Sequence, residues 1–456
     1  MRTLSLYCPA CSGSRELDAA LHCAHCKTTY PDLGGIPFLL PEPEHALARW
    51  EARAHSEQQL LRTRQALCDK ALSAAASADQ AAESTLARLT HLSNAYGQQL
   101  DCLGKLLEPL LGNRPGSDHT TYQALKTPGL QDNTTLFSYA GNLFRDWAWG
   151  EDENNQALAM LQSVAPEQWG NTLVLGAGGG RLAWDIACSG AQAVVAVDIN
   201  PFTTLAAAQI TRAGASSTSA TAPALRLWEF PLAPIRTEDT AIEHRLAADI
   251  NATPHALHFV LADARALPFG PESFDTVVTP WFTDVAQESA RTTAQRINRL
   301  LKPGGYWLNF GSVAFANADP LESLLLPELC TLVAGNGFDE PNVIEQQGPY
   351  LRSPHSRFSR MELLHAFAAR KNTGVAPLNK TTLPAWVSDP EQAVPALERF
   401  QEQALATQVH AFLMSLIDGQ RSIIDIALVL EERRLMTARE AVPVVQDFLT
   451  KMHDGQ

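Results

Sequence analysis

No apolar stretch in this 456-residue chain approaches the roughly 18 residues of a membrane-spanning helix, so no membrane partner is expected. Basic charge is scarce too: 35 Lys and Arg stand against 49 Asp and Glu, a net charge of −14. Such a chain lacks the broad basic face that displaces counterions from a nucleic-acid backbone, which disfavours RNA and leaves room only for a small basic patch. The first residues, MRTLSLYCPACSG, have neither the basic start nor the apolar core of a secretory signal, so a cytoplasmic location is expected. Cysteine is sparse at eight, and four of these (Cys68, Cys102, Cys188, Cys330) are scattered, which reads as buried, reduced thiols. Internal repeats and long low-complexity tracts are absent. What remains is globular composition, 45% hydrophobic and 18% charged, over a length that calls for two or three domains.

Composition shifts divide the chain into five segments. Residues 1–42 hold CPAC and CAHC and end in YPDLGGIPFLLPEPE, whose Pro and Gly predict short strands and turns. Residues 43–134 turn to Ala, Leu, Gln, Arg and Glu at helical spacing, predicting two or three helices up to about Leu111 and a loop at Pro115 and Gly116. Residues 135–371 alternate short apolar runs (TLVLGAG, AVVAVDIN, LHFVLADA, DTVVTPWF, YWLNFGS) with helical stretches. That rhythm predicts an α/β, Rossmann-like domain with a mostly parallel sheet covered on both faces, interrupted by an insertion at 213–256. A Pro-rich linker, 372–398, precedes a small helical domain, 399–456.

Cys8-x-x-Cys11 and Cys23-x-x-Cys26 form two pairs eleven residues apart. A two-residue gap lets one tight turn present two sulfurs to a single ion, so the four thiolates predict a closed tetrahedral zinc site. Four protein ligands leave no open position, which makes that zinc structural. Unrelated cysteine pairs or a redox pair are the competing readings.

Gly176, Gly178, Gly179 and Gly180 follow the apolar run NTLVL and precede a helix starting RLAWDIA. Such a turn lets backbone approach a nucleotide, and sites for NAD, FAD and S-adenosylmethionine all use one. Asp198 ends the next strand, eighteen residues past Gly180, where an acid accepts hydrogen bonds from ribose hydroxyls. Asp263-Ala264 follows the third strand, and INRLLKPGGYWLNFG supplies a helix, an LKPGG turn and a fifth strand. In this order the motifs resemble class I methyltransferases, which implies S-adenosylmethionine as cofactor, with the Asp263 carboxylate taking the adenine amino group. Alone, Asp263 also reads as a helix N-cap.

A narrower resemblance, over roughly residues 135–371, is to the carnosine N-methyltransferase family. It rests on GAGGGRLAWDIA, NLFRDW (142–147), WFTDVA (281–286), the run from Leu301 to Gly311, and the aromatic segment GPYLRSPHSRFSRMELLHAFAARK. The resemblance implies that Asn142 and Arg145 face the cofactor, with Arg145 meeting its carboxylate. It places Gly176 and Gly178 along the methionine and ribose, Asp198 at the ribose, Asp263 and Ala264 at the adenine, and Pro280 at a backbone contact. Asp284 matches a substrate-binding acid and Tyr350 a substrate-side tyrosine. The chain departs where the family has GPLLYHF: it reads GSVAFAN, with Phe315-Ala316 replacing a Tyr-His pair, so carnosine is not carried over as the acceptor.

Residues 1–42 resemble the zinc ribbon of methyltransferase activator subunits, a ribbon also fused to rRNA methyltransferases. The tail, through the stretch from Leu416 to Ala427, resembles the peptide-binding module of the pyrroloquinoline-quinone pathway (PqqD-like), which implies leader-peptide binding by strand addition. A small helical cap without a ligand reads equally well.

The expected function is S-adenosylmethionine-dependent N-methylation of a small molecule or peptide with a histidine-like or amine nucleophile. Asp284 is expected to orient the acceptor nitrogen or take its proton, inside a wall formed by Trp281 and Phe282. Bland readings compete: core packing for PWF, a helix N-cap for Asp284, a structural ion pair for Arg145. His255, His258 and His355 lack ligand spacing. An RNA methyltransferase docking through its ribbon, and a non-catalytic cofactor-binding scaffold or peptide-binding subunit, stay open.

Overall fold

A computed structural model describes residues 5–11, 15–78, 82–112, 139–216, 224–249, 256–286, 288–315, 320–376 and 391–454. The chain divides into two compact units, Met1–Lys380 and Thr381–Gln456. The Pro115 loop, His255, Ala316 and residues 377–390 of the linker lie outside the described residues.

The strands of the first unit are β1 (Phe38–Leu39), β2 (Asn171–Leu175), β3 (Ala193–Asp198), β4 (Leu225–Glu229), β5 (Ile242–Leu246), β6 (Ala256–Ala262), β7 (Phe274–Pro280), β8 (Leu301–Gly311), β9 (Asn342–Tyr350) and β10 (Arg360–Arg370). Eight of them form one sheet in the order β1-β6-β3-β2-β7-β8-β10-β9. Every pairing from β1 to β8 is parallel, and β10 is antiparallel to both β8 and β9. Leu173, Val174, Val194, Val197, Val277 and Val278 are buried, as expected of strands covered on both faces. Within the insertion, β4 and β5 pair antiparallel as a separate two-stranded sheet.

Helices α1 (Pro43–Ala78), α2 (Glu83–Leu106) and α3 (Glu108–Leu111) fill the segment predicted to hold two or three. Then come α4 (Ala140–Phe144), a π-turn at Arg145–Trp149, α5 (Glu151–Val164), α6 (Arg181–Cys188), α7 (Pro201–Ser216), α8 (Ala290–Leu300) and α9 (Leu326–Ala334). Two local expectations differ. LKPGG is not a separate turn: β8 begins at Leu301, directly after α8, and a register shift against β7 between Phe274 and Thr276 absorbs the extra residues as a bulge. TDVAQESA does not start a helix at Asp284. The helix starts at Ala290, capped by the Ser289 hydroxyl, which accepts the Thr292 amide at 3.2 Å.

The cysteine segment is pinned by single bridges at Tyr7–Glu16, His22–Thr29 and Asp32–Pro37. Cys8, Cys23 and Tyr30 share a buried cluster with Leu173, Val197 and Phe269, so the segment packs into the core of the sheet. Its exit, β1, then becomes the outermost strand beside β6.

In the second unit α10 (Glu398–Ser415), α11 (Ile423–Glu432) and α12 (Ala438–Asp454) close around Leu413, Ile426, Leu430 and Val445. The residues carrying the tail's resemblance have local roles. Asp418 accepts the Gln420 and Arg421 amides, and Ser422 and Asp425 make a capping box. The described residues of this unit contain no strand, so they offer no edge for strand addition. Among the described residues, no helix is long and apolar enough to cross a membrane.

Candidate functional site

The chain runs from β2 outward through β3 to β6, then crosses to β7 on the other side of β2. That reversal opens a crevice beyond the carboxyl ends of β2 and β7, where open α/β sheets bind ligands. A cavity of about 700 Å³ lies there, a volume suited to a small-molecule site. Asn142, Arg145, Gly176, Gly178, Asp198, Asp263, Ala264 and Pro280 all line it.

The glycine turn gets its shape from the left-handed region. Gly176 has φ +69° and a Cβ there would lie 2.7 Å from the Phe282 ring, so only glycine keeps the wall closed. Gly178, φ +53°, faces open space and donates its amide to Asp198 Oδ2 at 2.8 Å. Asp198 Oδ1 accepts the Asn200 amide at 2.8 Å. Burial pushes the Asp198 carboxyl above its ordinary value, and these amide bonds oppose the rise. Asp263 is an N-cap, accepting the Arg265 amide at 2.8 Å, and it also holds the Arg265 guanidinium at 2.6 Å. Cap and cavity wall are therefore the same residue.

The RDW element is bolted onto the glycine turn. Trp147 Nε1 donates to the Gly179 carbonyl at 2.7 Å, and Arg181 Nη1 donates to the Asp146 carbonyl at 3.0 Å. The Arg181 guanidinium also lies over the Trp147 ring, 5.5 Å from its centroid. Arg145 gives two bonds to Asp146 Oδ1, at 2.9 and 2.6 Å. The structural ion pair weighed against a cofactor role is thus present, yet Arg145 still lines the cavity. Burial pushes the Asp146 carboxyl up, and the neighbouring guanidinium opposes it.

On the other wall Trp281 sits at φ +50°, a conformation a bulky side chain rarely takes. It is held by its amide bond to the Phe310 carbonyl, 2.7 Å, and by Gly311, where a Cβ would come within 2.9 Å of the indole. Trp281 and Phe282 line the cavity; Asp284 and Tyr350 do not. Tyr350 packs on Trp281 at 4.5 Å between ring centroids, with the Arg360 guanidinium 4.4 Å from its ring centre. Asp284 Oδ2 accepts the Ala314 amide at 3.0 Å.

Sequence reasoning missed a polar knot centred on Glu229. Glu229 accepts His244 Nε2 at 2.7 Å, Ser353 Oγ at 2.8 Å and Trp149 Nε1 at 3.1 Å. Burial alone would raise the Glu229 carboxyl, but these partners hold it below its ordinary value. The knot ties the β4–β5 hairpin to the π-turn and to the loop after β9, and no local pattern announces it. Arg49, Trp50 and Arg53 of α1 also line the cavity and were not foreseen.

The Sγ atoms of Cys8, Cys11, Cys23 and Cys26 all lie within 4.8 Å of one another. Cys8–Cys26 is 3.6 Å and Cys11–Cys23 is 3.9 Å. Tetrahedral zinc with bonds of about 2.3 Å requires sulfur edges of about 3.8 Å, so the thiols fit that ion. The Tyr30 hydroxyl, 3.2 Å from Cys8 Sγ, and His25 Nδ1, 3.5 Å from Cys11 Sγ, back the cluster.

Comparison with solved structures finds a Thermotoga maritima S-adenosylmethionine-dependent methyltransferase described as a possible histamine N-methyltransferase. It is 16% identical, covering 51% of this chain and 99% of that one, with a TM-score of 0.29. Haemonchus contortus phosphoethanolamine N-methyltransferase 2, in complex with phosphomonomethylethanolamine and S-adenosylhomocysteine, is 19% identical over 53% of this chain and 58% of its own, with a TM-score of 0.33. A Methanosarcina mazei S-adenosylmethionine-dependent methyltransferase is 20% identical over 46% and 96%, with a TM-score of 0.31. No curated protein matches the chain. The family model described as carnosine N-methyltransferase matches residues 128–373, more than half of the chain. On that match, the chain belongs to the carnosine N-methyltransferase family and is an S-adenosylmethionine-dependent methyltransferase.

Proposed function

We propose that this enzyme methylates a nitrogen of a small molecule or peptide, with an imidazole or amine as nucleophile. The observation that carries this reading is one cavity running from the glycine turn and Asp198 to an apolar wall of Trp281, Phe282, Pro349 and Leu364. Bound S-adenosylmethionine supplies an electrophilic methyl group on a sulfonium. The protein's task is then alignment and exclusion of water. Gly178 and Asp198 hold the ribose, Asp263 with Ala264 the adenine, and Asn142, Arg145 and Gly176 the amino-acid end, with Pro280 contacting through its backbone. Trp281 and Phe282 shield the transfer site.

Asp284 and Tyr350 serve the acceptor from the edge of the wall. Asp284 Oδ1 carries no hydrogen bond among the described residues, so it has capacity for an acceptor N–H. The acidic charge of the chain weighs against RNA. Structural zinc at Cys8, Cys11, Cys23 and Cys26 belongs to the same reading. A leader peptide at the tail would meet a helix face, such as exposed Ile424 and Leu428 one turn apart on α11, instead of a strand edge.

The test is incubation with methyl-labelled cofactor and a panel of imidazole dipeptides, histidine-containing peptides, primary amines and RNA. Label is expected on nitrogen in the small-molecule or peptide fractions and is expected to fall with Asp284→Ala. Label confined to RNA, or carried on carbon or oxygen, sinks the proposal.

A further inference from the structure

The long helix α1 lies outside the methyltransferase-family match, yet it supplies three side chains to the cofactor cavity: Arg49, Trp50 and Arg53. The route is set by β1, whose Leu39 pairs with Ala262, the residue before Asp263. Because β1 and β6 are parallel, both strands end at the same rim of the sheet, and the chain enters α1 at Pro43 from that rim. Two strands, β6 and β3, separate β1 from the glycine-bearing β2. The chain therefore enters α1 from the Asp263 side of the cavity.

The side chains suit a flat aromatic ligand. Trp50 is 4% exposed, fixed between Ala46 and Ala54 in the core, and the Arg53 guanidinium lies over its ring at 4.6 Å. Arg49 stands one helical turn before Arg53, so both reach the cavity from one face of α1. A guanidinium is planar and weakly hydrated and stacks on aromatic faces, a purine included. We propose that Arg49, Trp50 and Arg53 are cofactor-binding residues that close the adenosyl end of the site. The N-terminal helical segment is thereby part of the catalytic domain. This rests on the reading of the cavity as the S-adenosylmethionine site.

The test is calorimetry of the full chain with S-adenosylhomocysteine and with 5′-methylthioadenosine, which keeps the adenosyl group and lacks the amino acid. Arg53→Ala, Trp50→Phe and the double variant Arg49→Ala/Arg53→Ala should weaken both ligands about fivefold or more, the two arginine variants at unchanged melting temperature. Asp198→Ala serves as the reference for the cavity itself. Loss with Asp198→Ala but wild-type binding by the α1 variants overturns the inference and spares the cavity reading. Weakening confined to S-adenosylhomocysteine also overturns it, since the arginines would then hold a carboxylate. Wild-type binding by Asp198→Ala refutes the cavity reading beneath it.

Discussion

Asp146→Asn removes one charge from a pair sealed inside the protein. The Arg145 and Asp146 side chains are 14% and 4% exposed and meet at 2.6 Å, so the solvent screening that makes surface pairs nearly worthless does not apply. Removing one partner of a buried pair costs about 3–5 kcal/mol, because the other charge is left uncompensated. Asparagine keeps a neutral acceptor of the same shape, so the lower end is expected: about 3 kcal/mol, or roughly a hundredfold in the folding equilibrium. Urea unfolding followed by tryptophan fluorescence measures it, since eight of the nine tryptophans lie within Met1–Lys380. The titration is then repeated with saturating S-adenosylhomocysteine. If Arg145 meets the ligand carboxylate, the ligand partly replaces the lost charge and stabilises the variant more than the wild type. A loss below about 1 kcal/mol, the value of an exposed pair, refutes the burial argument. An equal ligand effect in both proteins refutes the carboxylate contact.

Three further outcomes are expected. Trp147→Phe leaves the Gly179 carbonyl without its 2.7 Å donor and should cost about 1–3 kcal/mol in the same urea titration, with weaker binding of S-adenosylhomocysteine. Cys8→Ser should abolish one tightly held zinc per chain, measured by atomic absorption, and lower the melting temperature; a zinc-free wild type of full stability would contradict the site. Burial depresses His365 and His258 below the ordinary imidazole value of about 6.5, with Glu345, 3.4 Å from His365, opposing in part. As pH falls through about 6.5 the unfolded chain takes up protons that the folded chain refuses, so their stabilisation, complete above that pH, is lost toward acid. His365→Gln should give a shallower fall of the urea midpoint between about pH 7 and 5, and an unchanged slope would contradict the assignment.

Local pattern was enough to read the sheet and the residues that line its crevice. Valine-rich runs mark strands buried on both faces, and glycines directly after NTLVL mark a turn that only positive φ permits. Asp198 and Asp263 stand at strand ends because parallel strands deliver their carboxyl ends to one rim. Cysteine spacing brought four sulfurs together for the same kind of reason: two-residue gaps fix tight turns. Asp284 and Tyr350 were harder. The family resemblance put both on the acceptor side, but the cavity wall beside them is made by Trp281, held in a left-handed conformation against Gly311 and the neighbouring strand.

Sequence alone thus determined the α/β order, the glycine turn with acids at two strand ends, and the cysteine cluster, since each is written in short local motifs. Only tertiary structure decided that β1 joins the sheet beside β6, that Trp147 locks the glycine turn, and that Glu229 meets Ser353 across 124 residues. It also decided that α1 walls the cavity. Such contacts depend on where distant elements are packed, and a hydrogen bond between residues far apart in the chain leaves no periodicity or spacing by which to find it.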